Sequence, residues 1–317
     1  MSGGVDSSVA ASLLKAQGYE CIGCTMRLFT DGSLPSDDAG AARDVADRLG
    51  IPFYVFDYTN AFRDTVIRDF VDNYIAARTP NPCIVCNRCL KFDIFLRRAR
   101  ELHCSCMVTG HYARIEYSNG RYLLKKGIDL NKDQSYVLYS MTQDQLQSTR
   151  FPLGNMHKEE IRAIAAQNGF INAQKPDSQD ICFVPDGDYA RFMESYTGRT
   201  YPAGDFIDIR GNVLGRHKGA VRYTIGQRKG LGIAFGHPMY VCSKDMQENT
   251  VTLASNDHLF SGELKAAQLN WISIEELTGP MKVKAKIRYR HTEQPAVIYP
   301  EDEDIVKVIF LPKKCKL

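Results

Sequence analysis

The sequence has no long hydrophobic run: no stretch of its 317 residues approaches the ~20 consecutive apolar residues of a membrane-spanning helix. Its formal net charge is only +3, so any surface for a nucleic acid must be a local patch. Internal repeats and low-complexity segments are also lacking. With 44% hydrophobic and 24% charged residues, the composition is typical of a globular chain of two or three domains. We therefore expect a cytoplasmic protein without a membrane span.

The glycine-rich opening, Ser2–Ser8, has the composition of an anion-binding turn. Gly3 and Gly4 allow the backbone N–H groups to approach a ligand closely. The run from Val9 to Gln17 has apolar residues at helical spacing and is followed by Gly18, a suitable helix C-cap. Because a helix N-terminus carries unpaired N–H groups and a partial positive charge, this turn predicts a phosphate site.

The turn lacks the lysine of the nucleotide loop G-x-x-x-x-G-K-[ST], because Val5 and Asp6 follow the second glycine. It resembles instead the SGGxDS signature of the ATP pyrophosphatase (PP-loop) superfamily. Members of that superfamily cleave ATP between the α and β phosphates and adenylate a carbonyl oxygen. An ordinary polar helix cap is the alternative interpretation. Since a buried strand should precede such a loop and only Met1 does so, we expect the first strand to be missing.

Strand-like and helix-like segments alternate after the first helix. We predict strands at 20–26, 53–56 and 107–110, and helices at 37–49, 61–78, 90–102, 157–168 and 188–196. This alternation implies βαβ units and a parallel sheet, with ligands at the carboxyl ends of strands, near Met26 and Gly110. The dipeptide Asn119-Gly120 predicts the turn of a hairpin over 114–125.

Beyond Gly198 the pattern changes to short strands separated by Gly, Asn and Asp turns. The predicted strands are 205–210, 239–242, 250–253, 269–273, 282–289, 296–299 and 305–310. The fold class is therefore α/β: a parallel-sheet nucleotide-binding domain of the PP-loop, adenine nucleotide alpha hydrolase-like type, followed by small antiparallel β domains. We place the domains at 1–196, 197–258 and 259–317, and we expect that the last one lacks a closing barrel strand.

Ten cysteines in a sequence of cytosolic type favour chemistry or metal binding over a disulfide scaffold. Cys83, Cys86 and Cys89 form a C-x-x-C-x-x-C run, for which a zinc or iron–sulfur site is the plain interpretation. A closed zinc site needs four ligands, however, and no second C-x-x-C follows at finger spacing. Cys86 and Cys182 are both expected in polar loops, and a following helix together with Arg88 would favour the Cys86 thiolate. The others are expected to be core or incidental thiols: Cys21, Cys24, Cys104, Cys106, Cys242 and Cys315.

Six segments resemble, in chain order, the motifs of the bacterial tRNA-specific 2-thiouridylase family. They are Ser2–Ser8, Thr79–Phe92, Thr109–Tyr112, Asn131–Tyr136, Asp177–Phe183 and Tyr223–Gly232, so the resemblance spans essentially the whole chain. That family thiolates C2 of the wobble uridine, U34, of certain tRNAs. The resemblance implies an enzyme that uses ATP and Mg²⁺ to adenylate the C2 oxygen, after which sulfur from a cysteine persulfide gives 2-thiouridine.

The resemblance also implies a role for each matching residue. Cys182 would carry the persulfide and Cys86 would be the partner nucleophile, with a transient Cys86–Cys182 disulfide that needs reduction. The residues implied to hold ATP are Met1, Ser2, Gly3, Gly4, Val5, Asp6, Ser7, Met26 and Gly110. The residues implied to contact the target base or the tRNA are Asn81, Pro82, Cys83, His111, Lys132, Asp133, Gln134, Arg288 and Tyr289.

The implied partners are tRNA and a persulfide donor, either a cysteine desulfurase or a relay protein. Two basic stripes would grip the tRNA from the small β domains. Residues 201–230 carry six basic side chains against two acidic ones, with Tyr223 among them, and residues 282–291 alternate basic with apolar residues. A solvated strand face is the alternative interpretation of these stripes.

Several alternatives stay open at this point. Cys83, where some family members carry Asp, could join Cys86 and Cys182 in an iron–sulfur cluster. His111 could be a satisfied loop histidine, and Lys132 with Asp133 a solvated charge pair. The chain could instead be another adenylating PP-loop enzyme, or a non-catalytic RNA-binding protein with a zinc or iron–sulfur site.

Overall fold

The computed structural model describes residues 1–29, 37–174, 181–311 and 315–316. The chain forms two compact units. The first comprises Met1–Arg68, Pro82–Phe183 and Asn270–Glu275, and the second comprises Asp69–Asn81, Val184–Leu269 and Glu276–Leu317. Among the described residues, no helix is both long and apolar enough to cross a membrane. The division into domains at 1–196, 197–258 and 259–317 stays a prediction.

Two helices at the start of the first unit lie where the sequence predicted them. Helix α1 spans Val5–Ala16, and Gly18 follows it with a φ of +87°, a left-handed conformation that suits glycine. Helix α2 spans Asp37–Leu49, and Ala42, Val45 and Ala46 form its buried face. The predicted periodicity of both helices is confirmed.

The other helices include two π-helical segments. A helical run contains Thr59–Phe62, the π-helix Arg63–Ile67 and Arg68–Ile75. A second run, the cysteine helix (82–101), contains Pro82–Cys86, the π-helix Asn87–Phe95 and Leu96–Glu101. The remaining α-helices are Gln143–Gln147, Lys158–Gln167 and Tyr189–Thr197, and the 3₁₀ turns are Ser135–Leu138, Pro152–Asn155, Ile171–Gln174, Ala220–Arg222 and Asn256–Leu259.

The cysteine helix begins earlier than the sequence pattern suggested. We predicted a start at Leu90, but the helix starts at Pro82. Proline suits the first helical position, because its missing N–H would be unpaired there and its φ is already helical. Residues 79–81 therefore lead directly into a helix that starts at Pro82, and Cys83 and Cys86 are helical residues.

Parallel strand pairs are present in the first unit, as predicted. Strand β1 (Gly23–Arg27) pairs in parallel with β2 (Phe53–Asp57), and strand β3 (Met107–Val108) pairs in parallel with Thr149–Arg150. Cys21, predicted inside a strand, precedes β1. The antiparallel strands Ala113–Ser118 and Arg121–Lys126 form the predicted hairpin. Asn119 and Gly120 at its turn have φ values of +51° and +81°, as a type I′ turn requires.

Two four-stranded sheets belong to the second unit. One has the order Val213–His217, Gly204–Ile207, Thr250–Ala254, Tyr240–Asp245, and its two middle strands are parallel. The other has the order Glu263–Ala267, Ile305–Phe310, Gln294–Asp302, Met281–Ala285 and is antiparallel throughout. A short antiparallel pair joins Phe260–Ser261 to Cys315–Lys316.

One strand prediction in this region was wrong. Residues 269–273 are not a strand: Asn270 donates its side-chain amide to the carbonyls of Tyr139 and Met141, at 2.7 and 2.9 Å, and Ile272 packs against a core of the first unit. The strand lies just before, at Glu263–Ala267, where pairing with Ile305–Phe310 overrides the weak β propensity of the segment.

One buried cluster positions the N-terminal loop. Val5 and Val9 of α1 pack with Tyr112, Leu153 and Ile161, all 4% exposed or less. The start of α1 is thereby fixed against two segments. One follows β3, and the other leads into and includes helix Lys158–Gln167. The loop is thus held by buried apolar contacts on its inner side.

Candidate active site

The predicted phosphate loop is a turn that opens directly into α1. Gly3 has a φ of +66°, and Gly4 is the N-cap residue, with no side chain capping the helix. The Ser7 hydroxyl donates to the Gly4 carbonyl at 3.1 Å and accepts the Ser2 N–H at 3.0 Å. These bonds fix the turn without using a side chain as the N-cap acceptor, so the first N–H groups of α1 suit an anion.

The end of strand β3 packs directly against this loop. A Cβ atom added to Gly110 would lie 2.8 Å from the Asp6 carbonyl carbon and 2.9 Å from the Ser7 nitrogen, so only glycine fits there. Met1 is tied to strand β1, because the Thr25 hydroxyl donates to its carbonyl. Met26, the next residue of β1, is partly buried. Loop, β1 and β3 therefore build one side of the site.

Asp6 is paired with a residue that sequence reasoning missed. Its Oδ1 accepts hydrogen bonds from the Lys158 ammonium and the Tyr112 hydroxyl, each at 2.7 Å. Lys158 is 7% exposed and also lies 5.6 Å from the centre of the Tyr112 ring. In the sequence Lys158 looks like an ordinary residue in the first turn of a helix, so only the fold reveals the pair.

Asn172 is a second residue that the sequence did not single out. Its side-chain amide donates to the Gly3 carbonyl and to the Ser8 hydroxyl, each at 3.0 Å. Its Oδ1 is buried and has no hydrogen-bond partner among the described residues. Because unpaired buried acceptors are uncommon, this atom beside the loop fits a donor group on a ligand.

We expect Lys158→Met to raise the KM for ATP by about tenfold, because it leaves the half-buried Asp6 carboxylate without its ion pair and removes a cation beside the phosphate loop. Steady-state kinetics with varied ATP measures this. Lys125→Met is the matched control, since Lys125 pairs with Glu116 at 2.6 Å on the exposed hairpin. Equal KM values for the two variants would contradict a role of Lys158 at the loop.

The position and burial of Cys86 differ from those predicted from the sequence. It is not in a polar loop before a helix but is the fifth residue of the cysteine helix, 9% exposed. Burial raises the pKa of its thiol, and the nearby charge of Lys91 lowers it only in part. The expectation of a thiolate favoured by a helix N-terminus and Arg88 was therefore wrong, because desolvation outweighs any such effect.

Cys182 lies in the same site as Cys86. Although the residue as a whole is exposed, the surrounding protein desolvates its thiol. That desolvation, with the nearby sulfurs of Cys86 and Cys83, raises the pKa of Cys182 to about 12. The following residue, Phe183, packs edge-on against Phe62, with ring centroids 5.7 Å apart. The fold thus brings together two thiols that are far apart in the sequence.

Both thiols are free, so the predicted transient disulfide is not formed in this state. No group of three His, Cys, Asp or Glu side chains within the described ranges is arranged to hold a metal ion. The described residues thus give no support to the iron–sulfur site considered as an alternative for Cys83, Cys86 and Cys182. Residues 175–180, which include most of the Asp177–Phe183 motif, lie outside the described residues.

Three residues predicted to contact tRNA make hydrogen bonds within the first unit: His111, Asp133 and Gln134. His111 is 9% exposed, bonds to the Thr109 hydroxyl at 2.8 Å, and packs against Phe92 and Phe151. This burial holds the pKa of His111 well below its usual value. Asp133, also 9% exposed, accepts hydrogen bonds from the Gly127 and Ser135 N–H groups. Direct contact of His111 and Asp133 with tRNA stays a prediction.

The residues on either side of Asp133 are less buried than Asp133 itself. Gln134 exchanges two hydrogen bonds with the Tyr112 backbone, at 3.0 and 2.9 Å, and so shapes the loop after β3. Lys132 is only partly buried, so its predicted contact with tRNA stays open. In the cysteine helix, Pro82 is buried and Cys83 is exposed, which leaves Cys83 accessible to a substrate base.

The remaining predicted contacts lie in the second unit, and the basic stripes differ from the prediction. Asn81 is partly buried, Tyr289 is 39% exposed, and Arg288 donates to the Ile225 carbonyl at 3.1 Å. Strand Met281–Ala285 ends before Arg288, so the charges of 282–291 do not share one strand face. Within the other stripe, Arg222 pairs with Asp188 and Glu194, and Tyr223 is buried in the core of the unit, so it does not serve as a stacking platform.

Comparisons with known proteins agree with this geometry. A family described as the tRNA methyl transferase HUP domain matches residues 1–186. A tRNA methyl transferase PRC-barrel domain matches residues 190–255, and an aminomethyltransferase beta-barrel domain matches residues 261–315. The α/β nucleotide-binding domain and the small β domains expected from the sequence are thereby confirmed.

Full-length relatives give the same result. The chain is 48% identical over 320 residues to the tRNA-specific 2-thiouridylase MnmA of Clostridioides difficile, covering 98% of this chain and 89% of the relative. It is 49% identical to the MnmA proteins of Acetivibrio thermocellus and Halothermothrix orenii, covering 98% and 99% of this chain and 90% of each relative. The chain belongs to the tRNA-specific 2-thiouridylase family.

Proposed function

We propose that this protein is a tRNA-uridine 2-sulfurtransferase, which adenylates the C2 oxygen of the wobble uridine, U34, and then transfers sulfur to C2. The observation that carries the proposal is that one compact unit contains both a helix N-terminus that suits an anion and the neighbouring thiols of Cys86 and Cys182. Adenylation needs a phosphate site, and sulfur delivery needs a thiol that can carry a persulfide. The family membership of the chain supports the same reaction.

The loop side of the site suits the adenylation step. The N–H groups at the start of α1 would bind the phosphates of ATP, and Gly110 lets the backbone approach them closely. Lys158 would balance phosphate charge, and Asp6 would orient it and contact Mg²⁺. Mg²⁺, when bound, would neutralise charge that develops on the leaving pyrophosphate.

The thiol side suits sulfur transfer. In the proposed sequence, the terminal sulfur of a Cys182 persulfide forms a bond to C2, and the bond from C2 to the adenylated oxygen breaks, so that AMP leaves with the electron pair. The Cys86 thiolate then forms a bond to Sγ of Cys182, and the bond from Sγ to the transferred sulfur breaks. The products are 2-thiouridine and a Cys86–Cys182 disulfide, which an external dithiol reduces with two electrons and two protons.

The partners follow from the same chemistry. The substrate is tRNA, and Asn81, Pro82 and Cys83 are proposed to frame the target base, with Lys132 and Tyr289 among the tRNA contacts. The persulfide must come from a donor protein, a cysteine desulfurase or a relay protein. We place this reaction in the cytoplasm, where tRNA and reduced thiols are both available.

The test is incubation of the protein with ATP, Mg²⁺, a persulfide source, a dithiol and unmodified tRNA, followed by nucleoside analysis. The expected product is 2-thiouridine at position 34, formed only when ATP is present. Release of pyrophosphate without 2-thiouridine would favour another adenylating enzyme of the superfamily. Binding of RNA with neither product would favour a non-catalytic RNA-binding protein.

A further inference from the structure

Lys91 is a positively charged residue of the cysteine helix. It belongs neither to the phosphate loop nor to the pair of reactive thiols. Its neighbours in the sequence, Leu90 and Phe92, are 0% and 1% exposed, so the backbone at this point is held by the core. The Lys91 side chain is itself partly buried. It makes no hydrogen bond or ion pair with any residue in the described part of the chain, which is unusual for a half-buried ammonium group.

The helix geometry places Lys91 beside Cys86. Lys91 follows Cys86 by five residues, and the segment Asn87–Phe95 between and beyond them is π-helical. In a π-helix the hydrogen bonds run between residues five apart, so residues i and i+5 lie on the same side of the helix, about one turn apart. The π-helical segment therefore stacks Lys91 on the Cys86 side of the helix, where an α-helix would rotate it away.

Groups from three other parts of the chain lie around this ammonium. The charge of Lys91 acts on the thiol of Cys182, on the imidazole of His111 and on the terminal amine of Met1, as well as on the thiol of Cys86 in its own helix. Phe92 packs on the His111 ring with centroids 5.8 Å apart, which fixes this stretch of helix against the end of β3. The other groups that act on Cys182 are the sulfurs of Cys86 and Cys83, so Lys91 is the cation of this cluster among the described residues.

We propose that Lys91 is the charge-compensating residue of the sulfur site, holding its ammonium beside Cys86 and Cys182 to balance the anion that each sulfur carries when it reacts. The proposal rests on the proposed function, because a counter-charge is needed only if these sulfurs react as anions. Burial makes an anion costly at this position, and an unpaired cation lowers that cost. Lys91 acts through the sulfurs and is assigned no bond to the uridine.

The role has a consequence for each of the two steps. When the persulfide attacks C2, its terminal sulfur carries a negative charge that passes to the leaving AMP. When Cys86 attacks Sγ of Cys182, the charge starts on Cys86 and ends on the transferred sulfur. Lys91 acts only through its charge, so it changes the stability of the anions and adds no atom or electron to either step.

The test is the alkylation rate of Cys182 by iodoacetamide between about pH 7 and 10, followed by peptide mass spectrometry. Losing the cation raises the thiol pKa, so Lys91→Met and Lys91→Gln should shift the rate profile to higher pH. A shift of half a unit to one unit slows alkylation about three- to tenfold at a fixed pH below the pKa. Lys91→Arg keeps the charge and should restore the rate to within about twofold of the unmodified chain.

Arg88→Met is the matched control, because Arg88 is an exposed cation of the same helix and is not among the charges acting on either thiol. Alkylation of Cys242, in the second unit, reports general damage. Unchanged Cys182 rates in both neutral Lys91 variants, or equal slowing by Arg88→Met, would overturn the proposal. Absence of 2-thiouridine formation by the unmodified chain would instead refute the proposed function, whatever the alkylation rates.

Discussion

Cys182→Ser is expected to reduce 2-thiouridine formation by more than about a thousandfold, while tRNA-dependent release of pyrophosphate persists. A serine hydroxyl cannot carry a persulfide, so sulfur has no covalent carrier beside the activated uridine. The phosphate loop is built from Ser2–Ser8 and does not depend on this side chain. The two readouts are nucleoside analysis for the thiolated product and a coupled assay for pyrophosphate.

Cys242→Ser supplies the matched control, since Cys242 is a partly buried thiol of the second unit that donates to the Tyr240 carbonyl. It should leave both readouts within about twofold of the unmodified chain. If Cys182→Ser retained substantial thiolation, the persulfide would have to be carried elsewhere. If it abolished pyrophosphate release as well, the separation of the two half-reactions proposed here would be wrong.

Gly110→Ala is expected to lower kcat/KM for ATP roughly thirtyfold. The new methyl group would lie 2.8 Å from the Asp6 carbonyl carbon and 2.9 Å from the Ser7 nitrogen, and both are backbone atoms that cannot rotate away. Overpacking of about 2 kcal/mol is relieved by moving the loop, which displaces the N–H groups at the start of α1. Steady-state kinetics with varied ATP measures the loss.

Gly40→Ala is the control, because Gly40 lies in helix α2 and an added Cβ atom there would meet nothing within 4 Å. It should leave ATP kinetics unchanged and stabilise the fold by about 0.5–1 kcal/mol. A thermal unfolding curve for each variant separates loss of fold from loss of loop geometry. Unaltered kinetics in a folded Gly110→Ala protein would remove Gly110 from the nucleotide site.

Local signals in the sequence were sufficient for several elements. Helix α2, the Asn119-Gly120 hairpin and the helix that ends at Gly198 were predicted because short-range periodicity and turn chemistry specify them. The turn at Gly3 and Gly4 that leads into α1 was likewise predicted, whereas its binding of phosphate stays a prediction. These features depend on residues within a few positions of one another.

Features that depend on distant residues could not be predicted in this way. Lys158 and Asn172 reach the loop only through the fold, from more than 150 positions away. The high pKa values of Cys86 and Cys182 likewise follow from burial, which a polar local sequence did not indicate. His111 and Asp133 look exposed in their motifs but turn inward, where His111 bonds to the Thr109 hydroxyl and Asp133 accepts the Gly127 N–H. The π-helical segment after Cys86 left no sequence pattern that we recognised.

The two raised thiol pKa values also bear on how the resting enzyme withstands oxidants. Peroxides attack thiolates, and a thiol whose pKa is about 12 is almost wholly protonated at neutral pH. An idle molecule should therefore resist sulfenic acid formation and premature cross-linking between Cys86 and Cys182. The burial that raises the pKa of both thiols therefore also protects them from oxidation before sulfur is transferred to Cys182.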